Sequence, residues 1–250
     1  MMVLAVIGAT SAIRLLILLR GYLCEILGKY GWFYFYISSG LFFDIVLGFI
    51  SAHPALYLKL YWPFEFVTMA IGCGLVLEIF KHVLAPYPGA DRFARIVYLI
   101  TFGIIFVVGL IYPYVTTSVP TASYQIGLGR NVRLTQTVFF LVILAIIIHY
   151  AIPLGRNMSG MIYGYGLYLG TNLMTLAVRA YVGSNFNTVW RAVQPLSFMA
   201  SLLIWLWAFW VYAPNPKPPR PTLEVDYEAL AARTKERMEA LRSYLGRPKK

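Results

Sequence analysis

The sequence is short of charge. Only 12% of its 250 residues are Asp, Glu, Lys or Arg, whereas a soluble domain carries about a quarter. Ten residues are acidic, three are histidine and two are cysteine. With 60% of the chain hydrophobic and a mean hydropathy of +0.69, a soluble core of this size cannot bury the apolar surface. Lipid is therefore the solvent. The two cysteines, Cys24 and Cys73, sit in apolar segments. Without metal spacing or a disulfide framework, they read as small packing residues. No Walker motif, HExxH or Ser-His-Asp pattern is present, which removes the commonest signatures of catalysis. No internal repeat supports an inverted-repeat transporter. The last apolar span holds no lysine, which excludes a retinal Schiff base of the microbial-rhodopsin type.

What is present is a series of apolar runs near 20 residues, about the length that crosses 30 Å of hydrocarbon as a helix. Backbone groups in lipid must satisfy one another, so such runs are helical. A β-barrel needs alternating segments, and FFLVILAIII (Phe139–Ile148) does not alternate. The pattern predicts an all-α integral membrane bundle of seven spans, at 3–26, 31–51, 57–86, 93–114, 131–153, 158–182 and 189–213. The N-terminal MMVLAVIGATSAIRLLILL has no basic leader region and reads as a retained first helix. VTTSVPTASYQIGLG (115–129) is uncharged and rich in turn formers, and is expected to lie as a loop over the mouth of the bundle.

Net charge is +11, and nine of the 21 Lys and Arg residues follow position 213. That excess expects a cytoplasmic tail and an N-terminus outside. The partner it implies is the bilayer, with anionic headgroups at the tail, rather than nucleic acid. Residues 1–213 thus form the transmembrane domain, and 214–250 a proline-rich linker followed by a basic amphipathic helix, DYEALAARTKERMEALRSYLG. Asp226 is its expected N-cap, and Leu230, Met238, Leu241 and Leu245 form its apolar stripe. The helix suits either headgroups or a protein partner.

Ionisable groups at membrane depth each need a reason. At 1.5 Å per residue, Glu65 lies about 12 Å and Asp44 about 10 Å from the outer end of its span. Arg14 and Asn172 come at roughly 15 Å, with Arg133, Gln136, Arg179, Arg191 and Gln194 within roughly 8 Å. Two arrangements fit: interhelical ion pairs with snorkelling arginines, or an outward-facing polar pocket for an anionic or zwitterionic ligand built from Asp44, Glu65, Arg133, Asn172, Arg179, Arg191 and Gln194. GCG (Gly72–Gly74), Pro63 and Pro195 mark candidate kinks. Gly160 with Gly164, and Gly166 with Gly170, are spaced for close helix packing.

At the inner end, Glu78 and His82 are spaced i,i+4 and are expected as a pair at the headgroup level. His149 matches His82 in depth. No cofactor is required, but His82 and His149 as axial ligands of haem b, or Glu78, His82 and His149 around a metal, stay open.

GKYGWFYFYI, then YWPFEF, then LEIFKHVLAPYPG resemble a group of bacterial multi-pass membrane proteins, mainly acidobacterial and without an assigned activity. The resemblance covers Tyr22 to about Arg179 and is strongest in the third span. It implies a seven-helix protein of the bacterial inner membrane and transfers no catalytic residue. The functional expectation is a non-enzymatic, receptor-like or accessory sensor. The alternatives are an accessory subunit of a larger membrane complex and a haem-binding electron-transfer protein.

Overall fold

A computed structural model describes residues 2–51, 53–115, 121–182, 187–216 and 222–245, and every regular element among them is a helix. These are α1 (Met2–Leu23), α2 (Gly31–Ile50), α3 (Pro54–Val83), α4 (Pro88–Val115), α5 (Thr121–His149), α6 (Arg156–Val182), α7 (Asn187–Ala208) and α8 (Thr222–Leu245). Gly31–Ile50, Lys59–Val83 and Asn131–His149 are each long and apolar enough to cross a membrane. Proline begins two of the helices, Pro54 and Pro88, where its missing N–H leaves no partner wanting.

Consecutive helices from α1 to α7 run in opposite directions. Gly21 of α1 lies against Tyr34 of α2, while Arg14 of α1 reaches Asp44 further along α2. Phe43 stacks on Phe64 where α2 ends and α3 begins. Helix α3 is the central element, packed by α2, α4, α5 and α6. Its segment Ile71–Val76 is wholly buried, as are Glu78, Ile79 and Phe80. By contrast α4 keeps Ile96, Leu99, Ile100, Ile104, Val107 and Ile111 exposed, the outward apolar face that a lipid solvent requires.

Two helices end in the same way. Ile26 N–H reaches Gly21 O at 3.0 Å and Glu25 N–H reaches Tyr22 O at 3.2 Å. Ile152 N–H and Ala151 N–H repeat the pattern on Ile147 O and Ile148 O, at 3.0 and 3.3 Å. Both are Schellman caps with a buried isoleucine after the turn. The turn residues, Glu25 at φ 54° and Ala151 at φ 46°, occupy the left-handed region normally held by glycine.

Two expectations change, and the GCG glycines gain a packing role. Helix α5 begins at Thr121, so most of the stretch read as a loop over the bundle is helical, with Pro120 just before its first residue. Only 116–120 of it lies outside the described residues. The tail helix begins at Thr222 and Asp226 lies inside it, so Asp226 is not the N-cap. The GCG glycines mark close approach: a Cβ at Gly74 would overlap the Trp32 ring, and one at Gly72 would press on Gln136 and the Tyr165 hydroxyl at 3.1 and 3.2 Å. Gly160 and Gly164 do the same work on α6. A Cβ there would overlap Ala208 and Trp205 of α7, which is how these two helices pack closely.

Candidate functional site

The half of the bundle remote from the tail gathers most of the polar side chains expected there. Arg14 of α1 pairs with Asp44 of α2, and Arg133 of α5 pairs with Glu65 of α3. Each carboxylate thus has its own guanidinium from another helix, the arrangement that makes charge tolerable among apolar neighbours. The Arg14 guanidinium also lies over the Phe198 ring, 5.0 Å from its centroid, and Gly40 beneath it leaves the room. Asn172 is buried and donates to Tyr168 O at 2.7 Å. Gln194 of α7 approaches the Asn172 side-chain oxygen at 3.5 Å. The side chains of Arg179 and Arg191 fall outside the described residues.

Beside the Glu65–Arg133 pair is a small cavity of mixed lining. Tyr36 of α2, Thr68, Met69 and Gly72 of α3, Gln136 of α5, and Tyr165 and Tyr168 of α6 line it with the pair itself. Sequence reasoning missed the three tyrosines, because tyrosine along a membrane helix is an ordinary interface residue. Gln136 holds the floor by donating to Met69 O at 3.1 Å and to Cys73 Sγ at 3.3 Å. The Tyr165 hydroxyl donates to Gly72 O at 3.3 Å. The volume is about 20 Å³, room for one water molecule and no more. In this conformation Arg133 is engaged and the site is closed to any organic ligand.

The tail end has its own network, and it reassigns Glu78. The Glu78 carboxylate does not pair with His82. It accepts the backbone N–H groups of Trp32 and Phe33 at 3.2 and 2.7 Å, so it caps the first turn of α2 from another helix. The negative charge there also complements the helix dipole. His82 uses Nδ1 on the Glu78 carbonyl at 2.9 Å, and its ring stacks on Tyr30 at 4.8 Å. Burial pushes the Tyr30 phenol up to about 12, so it stays neutral. His149 is exposed at the end of α5, edge-on to Tyr150. The two histidines expected together thus have different neighbours. No group of three His, Cys, Asp or Glu side chains suited to a metal occurs among the described residues.

Two asparagines fasten the chain where it leaves α7. Asn157 donates to Ala208 O and Val211 O at 2.9 and 3.1 Å and accepts Ala213 N–H. Asn215 accepts Gly155 N–H at 2.8 Å and donates to His82 O at 3.2 Å. The Lys29 ammonium sits 3.5 Å above the Tyr212 ring. The linker therefore starts in contact with the ends of α3 and α7 and the start of α6. Comparison with protein-family models, curated proteins and solved structures finds no match to the chain.

Proposed function

We propose that the chain is a non-enzymatic, receptor-like protein of the bacterial inner membrane, with seven spans, its N-terminus outside and its tail in the cytoplasm. The Glu65–Arg133 pair is the latch of a closed pocket in the outer half. An anionic or zwitterionic ligand takes over Arg133, releases Glu65 and separates α3 from α5. Helix α3 carries that movement to its other end. There Glu78 holds α2 and His82 O holds Asn215, so the linker and α8 respond. The observation that carries this reading is the water-sized cavity against the pair, where Gln136 and the Tyr36, Tyr165 and Tyr168 side chains converge. The nine basic residues after position 213 support the orientation.

The experiment is a thermal-shift screen of the purified protein against small carboxylates, phosphates and zwitterions. A stabilising compound is expected for the wild type, and Arg133→Gln removes its effect. If none shifts melting, and Arg133→Gln and Glu65→Gln only destabilise, the reading fails. An accessory subunit of a membrane complex then becomes the better account. The uncovered apolar positions of α8, Leu230 and Met238, favour that second reading, since a partner would cover them.

A further inference from the structure

The tail helix meets the bundle through Tyr227. That side chain borders a slot between helix ends, with Phe80 of α3, Phe93 and Val97 of α4, and Val142 of α5 on its other sides. Among the described helices α8 packs on α4. Tyr227 is half-buried, whereas every residue from Glu228 to Glu239 is exposed. The slot opens on the outer rim of the bundle, because Phe93 and Val97 are themselves 60% and 38% exposed. It also lies at membrane depth. Val142 belongs to the span Asn131–His149, and at 1.5 Å per residue it sits about 10 Å inside the His149 end. Helix α8 therefore leaves the rim beside the bilayer and runs on for about 18 Å between Tyr227 and Glu239.

Tyr227 also fixes which face of α8 is turned toward the membrane bundle. At about 100° per residue, Leu230, Ala231, Thr234 and Met238 fall within about 60° of Tyr227. None of them is charged. Lys235 and Arg237 come next, about 80° away on either side, and Glu236 stands opposite. Glu228, Arg233 and Glu239 lie further round than the two flanking cations. The helix thus has an uncharged face continuous with its seat on the bundle, basic flanks, and an acidic residue at its back. That order suits a helix lying between headgroups and acyl chains. Lysine and arginine on the flanks carry their charge to the phosphates while their stems cover hydrocarbon.

We propose that α8 is an interfacial helix bound to the bilayer surface at the tail end of the bundle. Its Tyr227 face lies at the acyl boundary, with Lys235 and Arg237 at the phosphates, so lipid is the cover for Leu230 and Met238. A protein partner over the same two side chains is the competing account. The surface is separate from the Glu65–Arg133 cavity and does not depend on its being a receptor pocket.

The test reads the depth of α8 in the full-length chain. With Cys24→Ser and Cys73→Ala as background, a single spin label is placed by Ala232→Cys, Thr234→Cys, Glu236→Cys or Met238→Cys. Each protein is reconstituted in vesicles of phosphatidylcholine and phosphatidylglycerol in equal parts. Power saturation then compares collisions with oxygen, which concentrates in hydrocarbon, and with a nickel chelate confined to water. The labels of Thr234→Cys and Met238→Cys are expected to meet oxygen and be shielded from nickel, and those of Ala232→Cys and Glu236→Cys to show the reverse. Adding Met238→Asp to the Thr234→Cys protein exchanges oxygen access for nickel access, while adding Glu236→Gln leaves it unchanged. All these positions are exposed, so the bundle core stays intact. Nickel access at all four positions means that α8 projects into water, and overturns the proposal. Shielding of Thr234→Cys and Met238→Cys from both reagents means that protein covers the face, and overturns it too. So does oxygen access that Met238→Asp leaves unchanged.

Discussion

Glu78 caps Phe33. Its carboxylate, buried on α3, accepts the Phe33 N–H at 2.7 Å and the Trp32 N–H at 3.2 Å, and so completes the first turn of α2. That turn has no side-chain cap of its own from Tyr30. Glu78→Gln keeps an acceptor and loses the charge, for an expected cost of about 1 kcal/mol. Glu78→Leu strands the buried Phe33 N–H and the half-buried Trp32 N–H and is expected to cost about 2–3 kcal/mol. Denaturant unfolding in detergent, followed by tryptophan fluorescence, separates the two. Equal stability of both variants and the wild type contradicts the capping role.

The two Schellman caps predict gains. Glu25→Gly and Ala151→Gly relieve a left-handed residue bearing a side chain, and each is expected to stabilise by about 1 kcal/mol. Gly in a helix interior, as in Leu99→Gly, loses about the same amount or more. Melting temperatures of the three variants give the signs directly. A loss at position 25 or 151 contradicts the assigned backbone conformation.

Glycines of α6 divide by what a methyl group would meet. Gly164→Ala drives a Cβ into Trp205, whereas Gly170 has nothing within 4 Å of the same position. Gly164→Ala is expected to destabilise by about 1–3 kcal/mol. Gly170→Ala gains the better helix propensity, about 0.5–1 kcal/mol. Opposite shifts in melting are the expected result, and a shared sign contradicts the α6–α7 packing.

Asn215 predicts a local effect. Asn215→Ala removes the bonds to Gly155 N–H and His82 O, so amide exchange around Gly155 and the start of the linker rises while α3 stays protected. Hydrogen exchange read by mass spectrometry checks this. Unchanged exchange means that the linker is not fastened there.

The class of the protein was legible because long apolar runs admit one backbone solution in lipid. That Glu65 lies level with Arg133, and Asp44 with Arg14, was also legible, since a fixed rise per residue sets relative heights along neighbouring helices. The structure joins these four in two ion pairs. Rotation about each helix axis was not legible, and rotation decides partners. Glu78 was expected beside His82 because i,i+4 spacing is visible in one helix, whereas its real partner is the backbone of another. Asn157 and Asn215 carried no pattern, because their acceptors are loop carbonyls that exist only once α3, α6 and α7 are assembled. The early start of α5 was hidden by the glycine and polar residues of TASYQIGLG.

The latch is tested most directly by water access to the cavity. In a chain carrying Cys24→Ser, Cys73→Ala and Thr68→Cys, the new thiol lines the space beside Glu65 and Arg133. A membrane-impermeant maleimide applied from the outside should label it slowly. Adding Glu65→Gln should speed labelling about tenfold, the change in an opening equilibrium produced by losing about 1.4 kcal/mol of pairing. Labelling that is independent of Glu65, or that comes only from the cytoplasmic side, contradicts the account.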